Sequence, residues 1–133
     1  MKIYVAGKWN DSQTINEVQN ILISQGHSIT HDWTKNEGSK NITEMTNEEK
    51  IDFKRKCADL DIEGVKNCDL LIAIMNDSTY AYRGTFTEIG CALGLSKKVV
   101  IVCPDESYLC CSNCFFYHSN IIHVKTIEDV WLL

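Results

Sequence analysis

The sequence is poor in long apolar runs and in basic residues, and each shortage excludes a class of protein. No apolar run reaches the roughly 18 residues of a membrane span, and the short run at residues 3–7 is too brief for the core of a signal peptide. The net charge is −5, which argues against a nucleic-acid polymer or an anionic membrane as partner, because both attract basic surfaces. We therefore expect a cytoplasmic protein whose ligand is a small molecule.

The overall composition is that of an ordinary globular protein. Apolar residues make up 44% of the 133 residues and charged residues 23%, which is far from the composition of a disordered chain. The length suffices for one well-formed hydrophobic core. Because no repeat, low-complexity segment or linker interrupts it, we predict a single domain over residues 1–133.

The seven cysteines fall into two groups. Free thiols are the rule in the cytosol, and four of the cysteines are predicted to be small buried hydrophobes: Cys57, Cys68, Cys91 and Cys103. The other three form a loop cluster, followed by two histidines: Cys110, Cys111, Cys114, His118 and His123. A structural zinc site usually needs two Cys pairs at defined spacing, and only one pair is present. No metal and no cofactor is therefore predicted.

The loop around these cysteines is unusually apolar. Residues 108–117 combine aromatic and cysteine side chains, and an exposed apolar patch of this size needs a partner. We predict that this segment contributes to a subunit contact and that the protein is a homodimer or a higher homo-oligomer.

Strand and helix patterns alternate along the chain. Spacings of three and four between apolar residues indicate helices, and near-continuous apolar runs indicate buried strands. The predicted strands are 2–6, 27–33, 69–75, 99–103 and 120–124, and the predicted helices 11–25, 47–65, 84–96 and 126–133. Alternation of this kind predicts an α/β fold, a flavodoxin-like or Rossmann-like doubly wound parallel sheet with strand order 2-1-3-4-5. The polar stretch 34–45 is predicted to be a loop suited to a mobile lid.

Three segments should converge where the strand order reverses, outside the carboxyl ends of the first and third strands. They contain Ala6, Gly7, Lys8 and Trp9, then Asp77 and Ser78, then Gly84, Thr85 and Glu88. Gly7 permits a close approach of the backbone to a ligand. Free amides at the start of the predicted helix at Gly84 can bind a polar or anionic group. These residues are the predicted substrate contacts.

Glu88 is the most conspicuous of them. It is predicted to lie in the first turn of its helix, where the helix dipole favours the ionised form. An ionised, partly desolvated carboxylate is what a nucleophile or a stabiliser of a cationic transition state requires. The alternative is that Glu88 merely complements the helix dipole.

Three blocks together resemble one family of enzymes. Residues 84–92 read GTFTEIGCA, residues 3–7 read IYVAG and residues 59–69 read DLDIEGVKNCD. In this order and spacing they resemble the nucleoside 2-deoxyribosyltransferase family, which includes related nucleotide N-hydrolases. The first block alone also resembles lysine-decarboxylase-like phosphoribohydrolases. The resemblance covers residues 2–103, and no match is evident past Pro104.

The resemblance implies a retaining, two-step glycosyl transfer. Glu88 falls on the family's nucleophile, Tyr4 on a tyrosine that orients it, and Asp61 on a residue that protonates the leaving base. The physical chemistry agrees, because an oxocarbenium-like transition state is stabilised by a carboxylate and a leaving base needs a proton from a second carboxyl of raised pKa. Asp59 and Glu63 are close competitors for the role of Asp61.

One position departs from the family pattern. Six residues before Glu88, the family often has an aspartate that contacts the sugar's 5'-hydroxyl, or a serine where the substrate carries a 5'-phosphate. Here the position is Tyr82, followed by Arg83, and Arg83 and Lys8 could bind a phosphate. The open alternatives are a transferase, a deoxynucleotide N-hydrolase, an NAD glycohydrolase and a non-catalytic nucleotide-binding module.

Overall fold

The computed structural model of the chain describes residues 1–36, 42–105 and 114–133. Five parallel strands form one sheet in the order β2-β1-β3-β4-β5. They are β1 (Lys2–Ala6), β2 (Ser28–Ile29), β3 (Leu70–Ile74), β4 (Lys98–Val102) and β5 (Ile121–Val124). The predicted doubly wound sheet and its strand order are confirmed.

In the described part of the chain, four α-helices connect or follow the strands. They are α1 (Ser12–Ser24), α2 (Asn47–Asn67), α3 (Arg83–Gly94) and the short α4 (Ile127–Val130), with 3₁₀ turns at Trp33–Lys35, Ile42–Glu44 and Cys114–Tyr117. The ends of two helices follow from local chemistry. The Thr46 hydroxyl accepts a hydrogen bond from the Glu49 N–H at the start of α2, and Gly26 ends the turn after α1 with a φ of 89°.

The core consists mainly of the central strands. In β3 and the residue after it, positions 71–75 are all buried, and in β4 and the residue after it, positions 99–103 are all buried. Strands covered on both faces are expected to be continuously apolar, and this explains why these two runs could be read directly from the sequence. In contrast, α2 is buried only at Gly64 and Val65, near its carboxyl end.

Two sequence predictions about secondary structure need correction. The second strand is only Ser28–Ile29 rather than 27–33, and a 3₁₀ turn at Trp33–Lys35 follows it. The side chain of Asp32 accepts from the Thr34 N–H, a local bond that favours a turn over a continued strand. The second correction concerns the bounds of α3, which was predicted over 84–96. The helix spans Arg83–Gly94, with Tyr82 as its N-cap.

The cysteines and the predicted loops divide between described and undescribed residues. Cys68 and Cys103 are buried, whereas Cys57 and Cys91 are partly exposed rather than fully buried. The middle of the predicted lid, at 37–41, and most of the predicted subunit contact, at 108–113, lie outside the described residues. In the described ranges, no helix is both long and apolar enough to cross a membrane.

Candidate active site

Glu88 lies on α3 beside the carboxyl ends of β1 and β3, although not where the sequence predicted. It is the sixth residue of the helix, so it stands in the second turn and not the first. The dipole effect is largest in the first turn, and burial acts in the opposite direction. Burial raises the pKa of Glu88 to about 8, the Tyr4 hydrogen bond lowers it, and the charge of Asp61 raises it. In the free protein, burial therefore outweighs the Tyr4 bond, and the pKa of Glu88 is raised rather than lowered.

Tyr4 is the direct partner of Glu88. It lies in the middle of β1, is fully buried, and its hydroxyl donates a hydrogen bond to Glu88 Oε2. Burial and the nearby Glu88 raise the pKa of Tyr4 well above its usual range, so the hydroxyl keeps its proton and donates it to the Glu88 carboxyl. The ring fits because Gly64 of α2 has no Cβ: a Cβ there would stand 2.9 Å from Tyr4 Cε2.

Asp61 completes a group of two carboxyls and a phenol. It projects from the carboxyl-terminal half of α2 and lines the same cavity as Glu88. Burial raises its pKa, while the Asn36 amide and the His31 ring lower it. Asn36 Nδ2 donates to Asp61 Oδ1 at 2.8 Å, and His31 Nε2 lies 3.3 Å from the same oxygen. The competing residues, Asp59 and Glu63, are exposed.

The cavity between these groups has a volume of about 140 Å³. Its lining comprises Gly7, Trp9, Trp33, Asp61, Tyr80, Tyr82, Gly84, Thr85 and Glu88. Sites that enclose a whole drug-sized ligand measure about 300–1,000 Å³, so this cavity is on the scale of a single ring, such as a sugar. The Thr85 hydroxyl donates to the Gly7 carbonyl at 3.2 Å and joins α3 to the end of β1.

Two aromatic residues of the lining were missed by the sequence analysis. Trp33 is buried, donates its indole N–H to the Val5 carbonyl at 2.7 Å, and stacks on the exposed Trp9 with ring centroids 5.9 Å apart. Tyr80 meets Tyr82 edge to face at 4.8 Å. Trp33 comes shortly after β2 and Tyr80 shortly after β3. Their position beyond the carboxyl end of a strand was the signal that could have identified them.

Several predicted contacts lie beside the cavity rather than in its lining. Lys8 Nζ is 3.0 Å from Asp77 Oδ2 and 5.8 Å from the centre of the Tyr80 ring. Ala6 is buried in β1, and the side chains of Ser78 and Arg83 are exposed.

Tyr82 lines the cavity with its ring and is held by its backbone and its hydroxyl. Its φ of 53° is in the left-handed region, which is uncommon for a bulky residue. The hydroxyl accepts from the Asp77 N–H at 3.0 Å and donates to Asn76 Oδ1 at 3.4 Å. The ring therefore lines the cavity while the hydroxyl is bonded to the loop behind it.

A second cavity is larger but lacks such chemistry. It measures about 690 Å³ and lies along the amino ends of the strands, with mainly apolar lining that includes Ile3, Leu22, Ile72 and Val130. Ligands of open α/β sheets bind at the carboxyl ends of strands, and the paired carboxyls are there. We therefore place the candidate site in the smaller cavity. Within the described residues, no cluster of His, Cys, Asp or Glu could hold a metal ion; Cys110 and Cys111 lie outside those residues.

Replacing Tyr4 with phenylalanine tests the link between the phenol and Glu88. We expect kcat/KM at neutral pH to fall by about 10- to 100-fold, the value of a hydrogen bond to a charged group. Because the Tyr4 bond lowers the pKa of Glu88, the acidic limb of the pH profile should move to higher pH. Steady-state rates from pH 5 to 9 would show both effects, and an unchanged profile would contradict the proposed link.

The fold and the site together define a class of protein. The parallel sheet has the order β2-β1-β3-β4-β5 and a small polar cavity at its carboxyl edge. This is the architecture of flavodoxin-like α/β proteins, which bind small ligands at the point where the strand order reverses. The similar solved structures have the same fold. A 2-deoxyribosyltransferase from the psychrotolerant bacterium Bacillus psychrosaccharolyticus matches with a TM-score of 0.74 and 19% identity, over 98% of this chain and 90% of its own. A CMP N-glycosidase from Clostridium botulinum matches with a TM-score of 0.62 and 20% identity, over 99% and 96%.

Sequence comparison identifies the family. Residues 3–123 match the sequence model of nucleoside 2-deoxyribosyltransferases, so the chain belongs to that family and is an enzyme that acts on N-glycosidic bonds. The match extends past Pro104, where the sequence analysis found no resemblance. No curated protein matches the chain significantly by sequence.

Proposed function

We propose that this enzyme cleaves or exchanges the N-glycosidic bond of a 2'-deoxynucleoside through a covalent glycosyl intermediate on Glu88. The observation that supports the proposal most directly is that two carboxyls, Glu88 and Asp61, line one small cavity, while the buried Tyr4 donates a hydrogen bond to Glu88. Two carboxyls of different environment are the usual requirement of retaining glycoside chemistry.

The proposed reaction has two steps. The Glu88 carboxylate attacks C1' of the sugar, and the C1'–N bond breaks with its electron pair going to the base nitrogen. The base takes a proton from Asp61. In the second step an acceptor base or water attacks C1', the bond to Glu88 breaks, and the proton of the acceptor goes to Asp61. Carboxylate and carboxylic acid are thereby both restored.

The pKa values of the two carboxyls suit this division of work once a sugar is bound. Burial raises both, and the negative charge of one disfavours ionisation of the other. Positive charge developing on the sugar ring favours the ionised form of the carboxyl nearest to it. The Tyr4 hydroxyl donates to Glu88, and this bond adds to the stabilisation of the Glu88 anion when the sugar is bound and Asp61 carries the proton.

The surroundings favour a neutral 5'-hydroxyl over a 5'-phosphate. Lys8 Nζ lies 5.8 Å from the ring centre of the lining residue Tyr80, and its charge is already paired with Asp77. A phosphate would have to displace that carboxylate, whose pKa is lowered to about 2 by its bonds to Thr79 and Lys8. We therefore propose nucleosides as the preferred substrates.

A single chromatographic assay tests the proposed function. The protein is incubated with deoxynucleosides, deoxynucleoside 5'-monophosphates and NAD, each with and without a free acceptor base. We expect release of base from deoxynucleosides, and formation of the exchanged nucleoside if acceptor bases compete with water. Preferential turnover of monophosphates or of NAD would overturn the substrate class. Binding without turnover of any of them would indicate a nucleotide-binding module instead.

The oligomeric state remains a proposal as well. Phe115 and Tyr117 belong to the described end of the predicted contact segment and are 70% and 61% exposed, which supports burial of this surface by a second copy of the chain. Sedimentation as a monomer at micromolar concentration would contradict it.

A further inference from the structure

Two residues that belong to no sequence motif surround Asp61. His31 and Asn36 follow the carboxyl end of β2, on either side of the 3₁₀ turn Trp33–Lys35. Both side chains reach across to α2 rather than into solvent: Asn36 is buried and the His31 side chain is 20% exposed. Neither is needed to bring Glu88 and Tyr4 together.

The hydrogen bonds form a chain with a defined direction. His31 Nε2 is 2.8 Å from Asn36 Oδ1, and Asn36 Nδ2 donates to Asp61 Oδ1 at 2.8 Å. Because an amide oxygen can only accept, Nε2 of His31 must carry a hydrogen. The same Nε2 is 3.3 Å from Asp61 Oδ1. Among the described residues, the polar contacts of Asp61 thus reach one and the same oxygen.

We infer that Asn36 and His31 are positioning residues that keep Oδ1 of Asp61 as an acceptor, so that its transferable proton lies on Oδ2. The inference rests on the proposed function, in which Asp61 protonates the leaving base. Oδ1 accepts from Asn36 Nδ2 at 2.8 Å and also lies 3.3 Å from His31 Nε2, whose one hydrogen is directed mainly to Asn36 Oδ1. A proton on Oδ1 would compete with the Asn36 bond and lie against the His31 N–H, so Oδ2 is the favoured position for it. Proton transfer depends on such placement, because a general acid must be within hydrogen-bond reach of the atom it protonates.

The backbone around the two residues is fixed independently. The Thr30 hydroxyl donates to the Gly64 carbonyl at 2.7 Å and so joins the segment before His31 to α2. The Asn36 N–H bonds to the Trp33 carbonyl. A Cβ on Gly64 would stand 2.7 Å from His31 Cβ, which shows how closely this segment packs against the helix. Asp61 is therefore supported by its own helix, α2, and by the segment after β2 that packs against that helix.

Among the described residues, titratable and polar groups face Asp61 from three neighbouring elements and from its own helix. Tyr4 on β1 and Glu88 on α3 interact with it across the cavity, Cys57 precedes it on α2, and His31 and Asn36 face it from the segment after β2. The last two lower its pKa. Their removal should therefore raise the pKa of Asp61 and leave it protonated, but with its proton free to lie on either oxygen.

The experiment compares substrates whose bases do and do not need a proton. The bases of deoxyadenosine and deoxyguanosine leave as neutral molecules only when they are protonated. The base of 7-methyl-2'-deoxyguanosine already carries a positive charge and leaves without the help of an acid. The variants are His31→Leu and Asn36→Ala, with His31→Gln retaining an N–H donor. His27→Gln, at the opposite end of β2, is the matched control. Each variant is also checked by thermal unfolding.

The expected result is a selective loss. His31→Leu and Asn36→Ala should lower kcat on the neutral-base substrates by about 10- to 100-fold, the scale of a misplaced catalytic group, and shift the alkaline limb of the pH profile upward. Their rates on 7-methyl-2'-deoxyguanosine should stay within about twofold of the parent. His31→Gln should recover part of the loss, and His27→Gln should behave like the parent.

Other outcomes would overturn the inference. An equal loss on both kinds of substrate would assign His31 and Asn36 a merely structural role, and no loss on either would remove them from the mechanism. Both results leave the proposed function intact, provided that Glu88→Gln inactivates the protein toward all of these substrates. If the parent protein turns over none of them, the proposed function fails first and the inference fails with it.

Discussion

Replacing Glu88 with glutamine is expected to reduce turnover by at least about 10³-fold, because an amide cannot form the glycosyl ester through which the reaction proceeds. Shape and size are retained, and the Tyr4 hydroxyl can donate to the glutamine carbonyl as it does to the carboxylate. Nucleoside binding should therefore persist within a few-fold. Rates come from chromatography of released base, and affinities from calorimetry on the inactive variant.

The same substitution should stabilise the protein, with a characteristic pH dependence. The pKa of Glu88 is raised from 4.5 to about 8 in the fold, so the native state holds a proton that the unfolded state has released between these values. Its stabilising contribution is complete below pH 4.5 and is lost as the pH rises through about 8. Glutamine removes that loss, and we expect a gain on the order of a few kcal/mol at pH 8 and little at pH 4.

Denaturant unfolding of both proteins from pH 4 to 9 measures the difference. Glu63→Gln is the matched control, since Glu63 is an exposed residue of α2 and a competitor for the role of Asp61 in the sequence analysis. It should change neither turnover nor the pH dependence. Near-normal activity of Glu88→Gln would contradict the proposed mechanism. A difference in the free energy of unfolding that does not grow with pH would contradict the burial of an ionisable Glu88.

A single methyl group at Gly64 is expected to impair both carboxyls at once. The Cβ of Gly64→Ala would stand 2.7 Å from His31 Cβ and 2.9 Å from Tyr4 Cε2, and neither neighbour is the end of a flexible chain. The ring that holds Glu88 and the segment that holds Asp61 must both move. We expect a loss of about 1–3 kcal/mol in the free energy of unfolding and a fall in kcat of about 100-fold, since small displacements of catalytic groups have effects of that size.

Gly90→Ala is the control for Gly64→Ala. Gly90 is an exposed residue within α3, and a Cβ there meets no atom within 4 Å. Alanine should therefore stabilise the helix by about 0.5–1 kcal/mol with unchanged activity. Thermal unfolding and steady-state kinetics on the two variants decide the question. A Gly64→Ala protein with parental kcat would show that Tyr4 and His31 tolerate the displacement.

The sequence was sufficient for the sheet because its signals there are local. The apolar runs of β3 and β4 and the Thr46 cap of α2 each depend on a few neighbouring residues, and strand order follows from the right-handed α/β connection. The edge strand β2 was predicted too long because a two-residue strand ends at Ile29 and the polar residues that follow make their own turn.

The site was predicted less completely, and the reasons are physical. The position of Glu88 in the chain was evident, but its ionisation was not, because the pKa depends on burial by the whole fold. His31 and Asn36 were missed because their role comes only from contacts with Asp61, 25 residues further on from Asn36. The Lys8–Asp77 pair likewise joins two predicted contacts, yet only the structure shows that they neutralise each other.

The hydrogen bond between Tyr4 and Glu88 joins residues 84 positions apart, and the bond between Thr85 and Gly7 spans 78. Contacts of such separation carry a large loop-closure entropy and form late when a chain folds. No partly folded form that lacks the pairing of β1 with β3 can contain the site. Recovery of activity during refolding should therefore follow the slowest step of the whole domain, and catalysis is a measure of the fully native population rather than of collapsed or partly ordered chains.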